Sequence, residues 1–242
     1  MGRVLEWDAC WNIRDLGGYD TGSFRETRPG SVVRAGNLSR LTDAGRDALL
    51  GYGIRTVIDL RDPREFVVDL NPFHPDGPWA GQVEYASVPL ISEAEWQAIR
   101  DPKVLKEGYV VTIDLSKANI ARVFRALANA LSGGVVVHCH AGKERTGVIA
   151  ALLLALCGVA DNVIADDYVA SDRHLGSLYV EWAAREQDLE KRSRVLRGFA
   201  SEPEHILVPL DRIRGEGGIA TYLQHAGVTP AELIAVKERL CG

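Results

Sequence analysis

Short apolar runs alternate with amphipathic stretches along this chain, and most of them end at recognisable stops. Residues 31–35, Ser-Val-Val-Arg-Ala, read as a short strand, and Thr42 caps a helix that runs to about residue 52. Residues 56–60 and 83–88 are two further strands, the first largely apolar. Ser92 with Glu95 three residues on makes a capping box ahead of a short helix. Ser116 caps a helix that turns Ile120, Val123, Phe124 and Leu127 toward one side. Gly133-Gly134 break it, and residues 135–138 form the central strand. From Val148 to Cys157 the next helix is apolar nearly all round, which predicts burial. Asp161 opens another helix, and Thr229-Pro230 supplies an N-cap and first turn for the last one. Strands followed by helices in this way predict an α/β fold: a central, mostly parallel sheet flanked by helices, with extra helices toward the C-terminal end.

At 242 residues and 46% hydrophobic, the whole chain, 1–242, can bury one large core as a single domain. Within it, residues 173–215 could form a helical lid, because Trp182, Leu189, Val195, Leu196 and Phe199 give a partly apolar face. The charged stretch 185–197, with Lys191, Arg192 and Arg194, reads first as a solvated helix face. No apolar run is long enough to span a bilayer, and residues 1–7 lack the core of a signal peptide. Neither stable membrane insertion nor a leader is therefore expected. A net charge of −5 argues against nucleic acid as a partner. Cys10, Cys139, Cys157 and Cys241 have no metal-ligand spacing and no disulfide density, so a reducing cytosol is expected, with export lacking a signal left open. The histidines are scattered and form no metal cluster; no metal and no cofactor is expected.

Between the central strand and the apolar helix, residues 138–147 read His-Cys-His-Ala-Gly-Lys-Glu-Arg-Thr-Gly. A cysteine, five residues and an arginine, set between strand and helix, is the layout of a phosphate-binding loop with a nucleophile in it. Backbone N–H groups of His140, Ala141, Gly142, Lys143, Glu144 and Arg145 can converge on an anion at the helix N-terminus. Those amides, the helix dipole and Arg145 all favour the Cys139 thiolate. Cys139 would attack phosphorus and form a phosphocysteine. Arg145 would hold two equatorial oxygens with its planar fork. Thr146 places a hydroxyl near the sulfur, Gly142 permits a turn closed to residues with a Cβ, and Gly147 permits close helix packing. Lys143 adds a cation at the rim, and His138 orients loop carbonyls. A bare Cys-x5-Arg is weak; the full string in its strand–loop–helix context is not.

On these residues the chain resembles the cysteine-dependent protein tyrosine phosphatases, and among them the bacterial tyrosine and dual-specificity group. Asn12-Ile13-Arg14-Asp15-Leu16-Gly17-Gly18-Tyr19, Arg28-Pro29-Gly30, Val33-Arg34-Ala35-Gly36 and Leu38-Ser39-Arg40-Leu41-Thr42 are similar to that group's N-terminal blocks. So are Gly53 to Arg61, Tyr222-Leu223 and Gly227-Val228. The resemblance implies the phosphatase fold, hydrolysis of phosphomonoesters, and phosphotyrosine proteins or peptides as substrates. The glycine-lysine loop also occurs in phosphatases acting on 3-phosphoinositides, which makes an inositol lipid or dual specificity the alternative. A phosphate-binding module without turnover is the alternative of another class.

The general acid has several candidates. Asp59 ends a strand at the edge where α/β sites form, and the resemblance implies an active-site role for it. Its other reading is a strand-end carboxylate paired with Arg61 or a backbone amide. Glu144 lies in the loop where relatives usually carry aspartate. Glu93 and Glu95 follow Pro89, where other phosphatases place an acid on a loop. Arg14 and Asp15 border the phosphate site or form a buried salt bridge, and His140 faces either the pocket mouth or solvent.

Overall fold

The computed structural model describes residues 2–23, 25–91, 105–185, 187–190, 192–193 and 200–242. Three parallel strands form the middle of a five-stranded sheet: β2 (Val32–Ala35), β3 (Ile54–Asp59) and β5 (Gly134–His138), with β5 between the other two. Two edge strands complete it. The short β1 (Arg14–Asp15) runs antiparallel to β2, and β4 (Glu84–Ser87) runs parallel to β3. The order is therefore β1-β2-β5-β3-β4, which puts the strand that feeds the loop in the centre.

Both faces of the sheet are covered, which explains why the central strands read as nearly continuous apolar runs. On β5, Val135 and Val137 face one core and Val136 the other. The smaller core packs Val33, Leu38, Leu49, Val57, Phe73 and Trp7 under α1 (Asp43–Gly51). Thr42 caps α1, its hydroxyl accepting from the Gly45 N–H at 3.2 Å. The larger core lies under α2 (Leu105–Leu115), α3 (Lys117–Asn129), α4 (Glu144–Leu156) and α5 (Asp161–Val169). It continues beneath α7 (Glu204–Gly215), α8 (Ile219–His225) and α9 (Pro230–Cys241). Helix α6 (Ser171–Arg185) packs near the loop through Leu175, Leu178 and Tyr179, which share a cluster with Ala141. Helix α4 is buried on all sides apart from Glu144 and Ala155, as its composition demands. Truncating one of its core leucines to alanine would cost about 2–5 kcal/mol.

Several expectations need correction. Ser116 makes no side-chain cap; it is the junction between α2 and α3, and α2 was not anticipated. One disulfide that the cysteine spacing did not announce is present: Cys157 and Cys241 are bonded, their Cα atoms 6.2 Å apart. Cys157 follows the end of α4 and Cys241 ends α9, so helix packing, and not sequence spacing, brings them together. The capping box at Ser92 and Glu95 lies outside the described residues. So do Lys191, Arg194, Val195, Leu196 and Phe199 of the expected lid. Among the described residues, no helix is long and apolar enough to cross a membrane.

Candidate active site

Residues 139–143 bridge β5 and α4, and their carbonyls are all claimed from outside. The Cys139 carbonyl lies 3.2 Å from His138 Nδ1, and the His140 carbonyl accepts the Asn37 N–H at 2.8 Å. Asn12 Nδ2 donates to the carbonyls of Ala141 (3.1 Å) and Gly142 (2.9 Å), and Arg34 Nη2 donates to Gly142 as well (2.8 Å). The Lys143 carbonyl accepts the Gly147 N–H at 2.7 Å, the start of the α4 ladder. With the carbonyls turned out, the peptide N–H groups turn in, which is the polarity an anion requires. Gly142 has φ +68°, and a Cβ there would sit 2.4 Å from the Ala35 carbonyl oxygen. Gly147 packs against the Tyr168 ring, 3.0 Å from where its Cβ would be. Both glycines therefore do what the sequence predicts of them.

Cys139 lies under this loop, buried and unbonded. Thr146 Oγ1 is buried with no hydrogen-bond partner among the described residues. Arg145 meets a residue that the sequence reading missed. Glu65 accepts from Arg145 Nη1 at 2.6 Å and from Nη2 at 3.1 Å. Burial alone would lower the Arg145 pKa; the charges of Cys139 and Glu65 outweigh it and hold the guanidinium above its ordinary value. Burial would raise the Glu65 pKa, and Arg145 brings it below the ordinary carboxylate range. Glu65 sits in a 3₁₀ turn (Pro63–Val67) capped by Asp62, and its Oε1 also accepts the Asp62 N–H at 2.9 Å. The signal for it is Asp62-Pro-Arg-Glu65, a capping-box pattern directly after the Asp59-Leu-Arg61 block.

Asp59 ends β3 opposite His138, the residue before Cys139. Its carboxylate accepts from Arg61 Nε (3.0 Å) and Nη2 (2.7 Å), from the Arg61 N–H (3.0 Å) and from the Tyr85 hydroxyl (3.0 Å). Asn71 Nδ2 and His138 Nε2 both lie 3.3 Å from Oδ2. Burial would raise its pKa; His138 and Arg61 overcome that and hold the carboxyl far below the usual range. The pairing with Arg61 and its backbone N–H is the contact set of the strand-end reading of Asp59. Glu144 is instead half-buried at the first position of α4, one residue from Arg145. Its charge raises the pKa of Tyr109, Tyr168 and Tyr179, secondary in each case to burial. Glu93 and Glu95 lie outside the described residues.

The remaining loop residues are divided between core and mouth. Lys143, expected at the rim, is buried: its ammonium is 3.8 Å from Asp172 and 5.9 Å from the centre of the Tyr179 ring. The N-cap position of α4 directs it toward α6, not outward. The His140 ring lies tilted against Trp182, ring centres 5.2 Å apart, and the Trp182 ring centre is 5.8 Å from that of Tyr179. Burial and the Arg145 charge hold the His140 pKa below its ordinary value, against the opposing pull of Glu65. Arg14 forms a buried salt bridge with Asp167 at 3.0 Å, and Asp15 accepts the N–H groups of Gly17 (2.9 Å) and Gly30 (2.6 Å). Among the described residues no group of acidic, histidine and cysteine side chains is arranged to hold a metal.

The chain is similar to known phosphatases. The sequence model described as the tyrosine phosphatase family matches residues 5–242. A tyrosine-protein phosphatase of Nostoc commune is 30% identical over 231 residues, covering 87% of this chain and 74% of that protein. The triple specificity protein phosphatase PtpB of Mycobacterium tuberculosis is 28% identical over 278 residues, covering 99% of each. Among solved structures, Pseudomonas aeruginosa TpbA is 18% identical with a TM-score of 0.38, covering 84% of this chain and 98% of that one.

Proposed function

The chain belongs to the tyrosine phosphatase family, and we propose that it hydrolyses phosphotyrosine in proteins or peptides through a phosphocysteine at Cys139. The observation that carries this reading is the outward engagement of the carbonyls from Cys139 to Gly142. It leaves one face of inward N–H groups above a buried thiol, with Arg145 at its side.

In the first step the Cys139 thiolate attacks phosphorus, the S–P bond forms, and the bond to the phenolic oxygen breaks. Arg145 and the loop amides hold the equatorial oxygens through the transition state. Glu144 gives its proton to the leaving phenolate. In the second step water attacks phosphorus, Glu144 takes the water's proton, and the sulfur leaves as thiolate. Thr146, whose hydroxyl is uncommitted within the described residues, donates to that sulfur. Glu144 is assigned the proton because the Asp59 carboxyl is spent on Arg61, Tyr85 and Asn71. The aryl preference rests on the rings of His140, Trp182 and Tyr179 beside the loop.

A relative named as a triple specificity phosphatase makes the breadth of substrates the quantity to measure. Rates are expected to follow the order phosphotyrosyl peptide, phosphoseryl peptide, 3-phosphoinositide. A phosphoinositide preference would overturn the aryl reading, and phosphopeptide binding with no turnover would make the protein a binding module. Glu144→Gln should lose the basic limb of the kcat profile and about 10²-fold or more in kcat on a phosphotyrosyl peptide. An unchanged profile would remove Glu144 as the acid.

A further inference from the structure

Beneath the loop, on the side away from the anion, two arginines share one carboxylate. Arg14 and Arg34 are directly opposite each other across the antiparallel β1–β2 pair. Like charges in that position repel, and both side chains are essentially without solvent. Asp167 of α5 is their common partner: Oδ1 accepts from Arg14 Nε at 3.0 Å, and Oδ2 accepts from Arg34 Nη1. The Tyr19 hydroxyl donates to Oδ1 at 2.8 Å, and Arg14 Nη2 donates to the Asp167 carbonyl at 2.8 Å and to Ser171 Oγ at 3.3 Å. No other acidic side chain forms an ion pair with either arginine among the described residues. Two guanidiniums against one carboxylate leave one buried positive charge unmatched.

That charge is wired to the loop. Arg14 Nη1 donates to Asn12 Oδ1, which fixes the Asn12 amide so that Nδ2 reaches the carbonyls of Ala141 and Gly142. Arg34 Nη2 reaches the same Gly142 carbonyl directly. Asn12 adopts φ +56°, a left-handed conformation that asparagine tolerates better than most residues. A buried cation without a counter-ion is costly unless an anion lies close by. Arg34 reaches the loop at the Gly142 carbonyl, and the proposed function seats its anion on the opposite, N–H-bearing side of that loop.

We propose that Arg34, with Asn12, is a positioning residue of the phosphate loop: it holds the Gly142 carbonyl outward and supplies a buried cation that the bound phosphate balances. The assignment rests on the loop being the phosphate site. Its test is competitive inhibition by inorganic phosphate and by vanadate in three folded variants, with thermal melting as the check on folding. Arg34→Gln should weaken phosphate inhibition and kcat/KM by about 10-fold or more, the scale of a lost charged hydrogen bond. Arg34→Lys, which keeps the charge, should recover most of the phosphate affinity. Asn12→Ala, which removes no charge, should lower kcat more than it weakens phosphate inhibition.

Phosphate inhibition within twofold of wild type in folded Arg34→Gln would overturn the assignment. Equal loss in Arg34→Lys and Arg34→Gln would also overturn it, since shape alone would then explain the defect. Should Arg34→Gln not fold, unchanged turnover in Asn12→Ala overturns the positioning of the carbonyls. A wild type that phosphate and vanadate fail to inhibit would overturn the reading of the loop itself, and the Arg34 assignment with it.

Discussion

The Glu65 carboxylate grips Arg145 end-on, using one hydrogen from each terminal nitrogen and fixing the plane of the guanidinium. An arginine held this way meets the phosphate already oriented, so part of the ordering cost is met before substrate arrives. Glu65→Gln keeps the shape and removes the charge; we expect kcat/KM on a phosphotyrosyl peptide to fall by about 10-fold. A rate equal to wild type would show that Arg145 orients itself. For Asp59 the expected effect is on stability. Its folded-state pKa is depressed, so the stability it contributes is fully present above its unfolded pKa, about 4, and is lost as pH falls below that. The melting temperature should therefore drop below about pH 4, and this drop should be shallower in Asp59→Asn, itself less stable at pH 7 by about 3–5 kcal/mol. An equally steep acid drop in Asp59→Asn would assign it to other carboxylates. The turn at Gly142 was legible because one contiguous loop between strand and helix carries it. Asp59 and Glu65 were not distinguishable, because partners 12 to 80 residues away decide which carboxylate is buried and which meets Arg145.

At the scale of elements, what could be read was what local chemistry controls. Thr42 and Thr229 cap helices through their own hydroxyls, and Thr229 completes its box with Glu232, 2.8 Å from the Thr229 N–H. The all-apolar stretch became the buried α4, because no polar face was left to show to water. Ser116 failed as a cap since the preceding residues are themselves helical, and tertiary packing of α2 on α7 was invisible locally. The two-residue β1 was likewise too short to carry a period. The turn at Gly142 is the element on which the site depends, as it alone permits the close approach to Ala35. Gly142→Ala should fold with a displaced loop and lose about 10²-fold or more in kcat/KM, the cost of misplacing reacting groups by about 1 Å. Activity within a few-fold of wild type would show that the loop tolerates a different path.

Across the whole molecule, crossovers place β5 between β2 and β3, so the loop opens at the carboxyl edge of the sheet's central strand. An α/β sheet was readable from the alternation of elements; the strand order was not, because it depends on which faces bury one another. The Cys157–Cys241 bond closes a separation of 84 residues and ties the end of α4 to the last helix. Cys157→Ser should cost about 2–4 kcal/mol of stability while leaving turnover of the folded enzyme near wild type. A melt unchanged by the substitution or by reductant would show that the bond carries no stability. The central claim, that phosphorus passes through Cys139, is tested most directly by acid-quenching the enzyme during turnover of a phosphotyrosyl peptide and mapping the trapped phosphoryl group by mass spectrometry. The account predicts one phosphoryl group on Cys139 in the wild type, and neither adduct nor turnover in Cys139→Ser. Turnover persisting in Cys139→Ser, or a phosphoryl group trapped on a different residue, would contradict it.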